Sequence, residues 1–219
     1  MSKIYVLIIV MITLFVAKVI INEKETIAKK ENDIAILTLF SYDGKSECKN
    51  LINAYGHTFL SLTNHSDEKI EIHGYCVVPE DTVYFSWWAV DKHMGIWFNI
   101  EPNYIEMYNR YETRYSISIH LDMTEINKLK IFLDQNDYYS PINNCSKMCL
   151  KCWNEVAESK EKIDTTLIIT PLYMVKKIKE FSNAKYQEEV VFHKEIGYFE
   201  NNKFVTFRME NRYAVSYTH

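Results

Sequence analysis

Tyr138-Tyr-Ser-Pro-Ile-Asn-Asn-Cys145-Ser-Lys-Met-Cys149-Leu-Lys-Cys152-Trp153 is the stretch on which the reading of this 219-residue chain turns. Met148, Cys149, Cys152, Trp153 and Val156 recur at the spacing of an apolar stripe, so the segment reads as a helix pressed against a core. Asn143 or Asn144 is placed to cap it, and Pro141 just upstream favours an extended approach. Cys145 then falls on the first turn, where unpaired amides and the helix dipole favour a thiolate over a thiol. That is one half of a nucleophilic site. The same residues also describe a cysteine that merely begins the buried stripe continued by Cys149 and Cys152.

Working outward, Thr170-Pro171 pairs a cap with a proline at the first helical position, and Leu172, Val175, Ile178 and Phe181 follow at intervals of three. Upstream, Asp122 or Thr124 caps a helix whose inner face carries Ile126, Leu129, Phe132 and Leu133. The rest alternates as strands do. Asp33 to Tyr42 is apolar enough to be buried on both faces, and Asp43-Gly44 closes it. In Tyr55 to Asn64 a period of two puts His57, Phe59, Ser61 and Thr63 on one side. Lys69 to Val77 is expected to return as a hairpin that brings His73 or Gly74 opposite His57. Val83 to Trp88, Gly95 to Glu101 and Tyr115 to Leu121 continue the strands, with Gly95, Trp97, Asn99 and Glu101 sharing a side. Val190 to Phe192, Ile196 to Phe199 and Lys203 to Phe207 close the chain around Glu200-Asn201-Asn202. The expectation is one α+β domain over residues 31–219, an antiparallel sheet packed on the cysteine-bearing helix with about three helices in all.

Residues 1–30 are of another kind. Ile4 to Ile21 is apolar except for Thr13 and Lys18, follows Lys3, and would span roughly 27 Å as a helix. It has no polar face and no clear small-x-small cleavage site, so it reads as an uncleaved membrane anchor with the body exported, a secreted form being the other outcome. Composition bounds the body. Residues 1–30 hold five Lys and two Glu, which leaves 20 basic and 27 acidic residues in the remainder. An acidic body argues against a nucleic-acid partner. Five cysteines are too few and too unevenly placed for a disulfide scaffold.

A thiol nucleophile needs a base that lowers its pKa and later protonates the leaving group. His57 is the candidate, because Gly56 before it lets another backbone come close and the alternation after it fixes where the ring points. The competing account is a sheet histidine satisfied by a neighbouring hydroxyl. Cys145, Cys149 and Cys152 also have the spacing of a radical-type iron–sulfur ligand set. They lie on a helical stripe rather than in a loop, and only 67 residues follow Cys152, too few for the barrel that chemistry needs. A structural zinc site using these cysteines and one histidine is a weaker competitor, so no cofactor and no metal are expected.

Gly56-His57-Thr58-Phe59-Leu60, Gly95 to Glu101, Asn144-Cys145-Ser146 with Trp153-Asn154, and Thr170-Pro171 together resemble a group of largely uncharacterised bacterial exported proteins. More distantly the chain is similar to the circularly permuted papain-like proteins, the NlpC-type and lecithin retinol acyltransferase-like cysteine hydrolases, in which the histidine strand precedes the cysteine helix. The resemblance covers roughly residues 33–210. It implies a thiol hydrolase with Cys145 as nucleophile, His57 as base and a third polar residue orienting the ring, for which Glu101 is preferred to His73. It also implies an amide or acyl substrate, with a cell-envelope peptide first for an exported bacterial protein. The alternative is a non-catalytic envelope binding or structural module on the same frame.

Overall fold

The computed structural model describes residues 32–44, 56–90, 92–193 and 195–208. Its centre is a long antiparallel sheet. In chain order the strands are β1 (Ala35–Tyr42), β2 (His57–Asn64), β3 (Ile70–Ile72), β4 (Tyr75–Val77), β5 (Thr82–Val90), β6 (His93–Phe98), β7 (Tyr115–Leu121), β8 (Lys185–Tyr186), β9 (Ile196–Glu200) and β10 (Lys203–Phe207). Among the described residues the helices are α1 (Ile100–Tyr108), α2 (Met123–Gln135), α3 (Cys145–Val156) and α4 (Pro171–Ile178). Eight strands lie in the order β10-β9-β6-β5-β2-β1-β7-β8, and β3 with β4 forms a separate small ribbon.

Alternation along the central strands sorts the two faces. Leu37 and Leu39 of β1 sit opposite Leu62 and Leu60 of β2 and face an aliphatic core shared with Met148, Cys152 and Trp153 of α3 and Leu129 and Leu133 of α2. Phe40 and Tyr42 pair with Phe59 and His57 and face the other way, into an aromatic layer that includes Tyr84, Trp97, Tyr104 and Tyr111. Burial of side chains of this size contributes about 1.5–3 kcal/mol each. Among the described residues nine tyrosines and phenylalanines are buried in these two layers, and others pack partly buried against them.

The α+β class and the antiparallel sheet agree with the sequence reading, and β7 occupies the residues expected of it. Asp122 caps α2 in a capping box with Glu125, and Thr170 with Pro171 opens α4. Three expectations need correction. Lys69 to Val77 is not one strand beside β2. It folds on itself at His73 (φ 46) and Gly74 (φ 81), a left-handed pair suited to a two-residue hairpin turn, while β2 pairs with β1 and β5. Gly95 to Glu101 is not strand to its end. Asn99 (φ 60) turns the chain out of β6, and Pro102 suits the first turn of α1 as it could not suit a central strand. Val190 to Phe192 forms no strand. The proposed anchor, residues 4–21, lies outside the described residues, among which no helix is long and apolar enough to cross a membrane.

Gly56 sets the start of β2. A Cβ there would lie 2.1 Å from the Tyr42 carbonyl oxygen and 2.6 Å from the Pro171 Cβ, so β1, β2 and the start of α4 meet at a point with no room for a side chain. Gly56→Ala is expected to lower the unfolding free energy by about 2 kcal/mol or more, read as a lower urea midpoint at unchanged slope. An unchanged midpoint would mean that the three segments separate without cost.

Candidate active site

His57, the first residue of β2, lies opposite Tyr42, the last of β1. Its ring belongs to the aromatic face, whereas Cys145 is carried by a helix on the aliphatic face. The two meet because His57 is at the very end of its strand, where the sheet no longer separates its two sides.

The neighbouring ladder also opens here. Between β2 and β5 the register runs only from Thr63–Thr82 to Leu60–Phe85. Beyond it, the Thr58 carbonyl takes a hydroxyl from Ser86 at 2.7 Å and a thiol from Cys149 at 3.4 Å. Side chains thus satisfy a backbone group that a continuing ladder would have paired.

Cys145 opens α3, capped by Asn144, whose side-chain oxygen accepts the Lys147 amide at 3.0 Å and whose side-chain nitrogen donates to the Ile169 carbonyl at 3.3 Å. The loop before it is pinned to the sheet. The Trp87 indole donates to the Asn136 carbonyl at 2.7 Å, the Ile96 amide to Asp137 at 2.6 Å and the Tyr139 amide to the Met94 carbonyl at 2.9 Å. A Cβ at Gly95 would come within 2.2 Å of the Asp137 carboxylate, so that glycine admits the loop.

Cys145 is partly exposed and unpaired, whereas Cys149 and Cys152 on the same helix are fully buried. Burial opposes ionisation of Cys145. The adjacent His57 ring, as charge and as hydrogen-bond partner, overrides it, with a Thr58 backbone hydrogen bond and Ser146 helping, and the thiol lies below its ordinary value. For Cys149, burial and the nearby Cys145 act together and push the thiol well up. One cysteine on this helix is set to ionise and its neighbour to stay protonated.

His57 is itself 7% exposed, and burial alone would drive its proton off. Charge on Cys145, a hydrogen bond to it, and the Glu101 carboxylate reverse this and raise the ring to about 9. Glu101 Oε1 lies 2.9 Å from His57 Nε2. The same carboxylate oxygen accepts the Trp88 indole N–H at 2.8 Å, and the Trp88 ring lies 4.3 Å from the His57 ring, centroid to centroid. Tyr111 closes another side at 5.6 Å. Glu101 is fully buried in the first turn of α1. Thiol, imidazole and carboxylate therefore form one contiguous row.

His73 is elsewhere. It stands in the β3–β4 turn, with Nδ1 3.1 Å from Asp134 and Nε2 3.3 Å from Asp137, while His93 holds the other Asp137 oxygen at 3.0 Å. Its part is to clamp the loop that leads to Cys145, not to orient His57. Sequence reasoning missed Trp88, and it gave no role to Thr58 or Ser146 although both lay in quoted motifs. The doubled tryptophan at the end of a strand was the available signal for Trp88. Among the described residues no group of three or more His, Cys, Asp or Glu side chains is arranged to hold a metal ion. No family model, no curated protein and no solved structure matches this chain.

Proposed function

We propose that the chain is a thiol hydrolase acting on an amide or acyl bond, with a permuted papain-like arrangement of its histidine strand and cysteine helix. The observation that carries this is a buried imidazole that stands 2.9 Å from the Glu101 carboxylate and beside Cys145, whose thiol it holds below its ordinary value. A structural cysteine and a structural histidine have no need of a buried carboxylate behind them, which is costly to desolvate unless it stabilises a positive charge.

In this reading the Cys145 thiolate attacks the carbonyl and the imidazolium of His57 gives its proton to the leaving amine or alcohol. An acyl group then remains on sulfur. His57, now neutral, takes a proton from water as that water attacks the thioester, and the thiolate leaves. The Cys145 amide, at the free end of α3, is a donor for the oxyanion. Glu101 keeps the ring oriented and stabilises its charge, as the buried aspartate does in a serine-type triad. The apolar run at residues 4–21 supports a membrane-anchored or secreted location, and with it a cell-envelope peptide as the first substrate to try.

The test is covalent trapping. Incubation with p-nitrophenyl acetate should release p-nitrophenolate and leave an acetyl group on the Cys145 peptide, detected by mass spectrometry, and His57→Ala should abolish the adduct at neutral pH. Acetylation spread over exposed Cys76 and surface lysines, and unchanged by His57→Ala, would leave a binding module as the better account.

A further inference from the structure

Cys145 stands at the end of a row of hydroxyls that the steps above do not use. Ser146 Oγ is 4.0 Å from Cys145 Sγ and 2.8 Å from Thr58 Oγ1. Thr58 Oγ1 is 3.0 Å from Ser41 Oγ, which is 3.1 Å from the Pro171 carbonyl oxygen and 3.4 Å from that of His57. Ser41, Thr58 and Ser146 are each 0% exposed, so solvent does not compete for these bonds. The row runs from β1 through β2 to α3 and ties both to the start of α4.

Each hydroxyl has one proton to give. That count allows two consistent arrangements. In the first, Ser41 donates to the Pro171 carbonyl, Thr58 to Ser41 and Ser146 to Thr58, which leaves a Ser146 lone pair facing sulfur and suits a protonated thiol. In the second, every hydroxyl turns round, so that Ser41 donates to Thr58, Thr58 to Ser146 and Ser146 to the thiolate. The turn gives up only the Ser41 bonds to backbone carbonyls, and it gains a hydrogen bond to a charged acceptor, worth more than a neutral one.

We infer that Ser146, Thr58 and Ser41 form a reversible hydroxyl row whose direction follows the protonation of Cys145, making Thr58 and Ser41 positioning residues for the nucleophile. The inference rests on the thiol-hydrolase reading. It has an unusual sign. Because the row pulls the Ser146 proton away from sulfur, cutting it beyond Ser146 frees that proton and favours the thiolate. The titratable groups that face Cys145 are His57 from β2, backed by Glu101 from α1, Tyr139 from the preceding loop and Cys149 from the next turn of α3. All four are unaltered in the variants below.

The experiment is the iodoacetamide alkylation rate at Cys145 against pH in the full-length chain, read from the Cys145 peptide. Ser146→Ala removes the donor and should slow alkylation at pH 6 about tenfold. Thr58→Val keeps the shape of threonine but accepts nothing, leaves Ser146 with sulfur, and should speed alkylation about threefold. Ser41→Ala should act in the same direction as Thr58→Val, and serves if the valine variant folds poorly. Thr58→Ser should restore the parent rate. Slowing in both Ser146→Ala and Thr58→Val, or no change in either, overturns the row and leaves the nucleophile standing. A parent chain whose Cys145 alkylates only as an ordinary thiol overturns the hydrolase reading and the row with it.

Discussion

Cys145→Ser is expected to leave the chain folded and to cut turnover of p-nitrophenyl acetate by a factor on the order of 10⁴. The exchange of sulfur for oxygen is nearly isosteric at a partly exposed position, so the urea midpoint should stay within about 0.5 kcal/mol of the parent. What changes is ionisation. His57, Thr58 and Ser146 hold the Cys145 thiol below its ordinary value against the opposing effect of burial, whereas a hydroxyl starts far too high for the same surroundings to ionise it. Retained turnover in Cys145→Ser would exclude a thiol mechanism. Turnover lost together with the fold would instead show Cys145 to be a core residue.

Glu101→Gln should cost about 10²- to 10³-fold in kcat and should also displace the pH profile. The sign follows from the pair. His57 titrates at about 9 although burial acts to lower it, and Glu101 is one of the groups that hold the proton on. While the imidazolium persists, it can protonate a leaving group, so the parent profile should fall on its alkaline side near pH 9. On its acid side it should fall as the depressed thiol gains a proton. A glutamine side chain can still accept the His57 and Trp88 hydrogen bonds but brings no charge, so the alkaline limb should move to lower pH while the fold is kept. If the limb stays in place and only KM rises, Glu101 positions substrate rather than the histidine. Trp88→Phe should act in the same direction more weakly, since it removes one of the two donors to that carboxylate oxygen.

What the sequence made legible is local. The α3 helix is announced by a cap, a clean apolar stripe and a proline before it, and Asn144 does cap it. The α1 helix is hidden for a physical reason. Ile100, Glu101, Pro102, Asn103 and Tyr104 are all buried, so its first half has no solvent face and shows no helical period. It also follows without a break from a strand whose alternation in sequence runs on through Asn99 and Glu101, and only Pro102 argues otherwise. His73 was misplaced because a nine-residue alternating run conceals a two-residue turn when one turn residue is a histidine in the left-handed region.

The candidate site was legible in its parts and not in its assembly. Gly56 announces a close approach, as the Tyr42 carbonyl and the Pro171 ring bear out. That His57 and Cys145 come from opposite faces of the sheet and meet round the end of β2 follows from strand order and from a ladder that stops at Leu60–Phe85, neither of which a period of two encodes. Ser41, Thr58 and Ser146 likewise look like ordinary strand and helix residues until the three elements are brought together.

The most direct measurement is the ultraviolet absorbance of the thiolate, taken as the parent chain minus Cys145→Ser across pH. The account predicts that in the parent the thiolate appears at lower pH than an ordinary thiol near 8.5, disappears on acidification, and in a His57→Ala background appears only at higher pH. A parent difference signal that first appears near 8.5, and does not move when His57 is replaced, would contradict the pairing of Cys145 with His57 on which the rest depends.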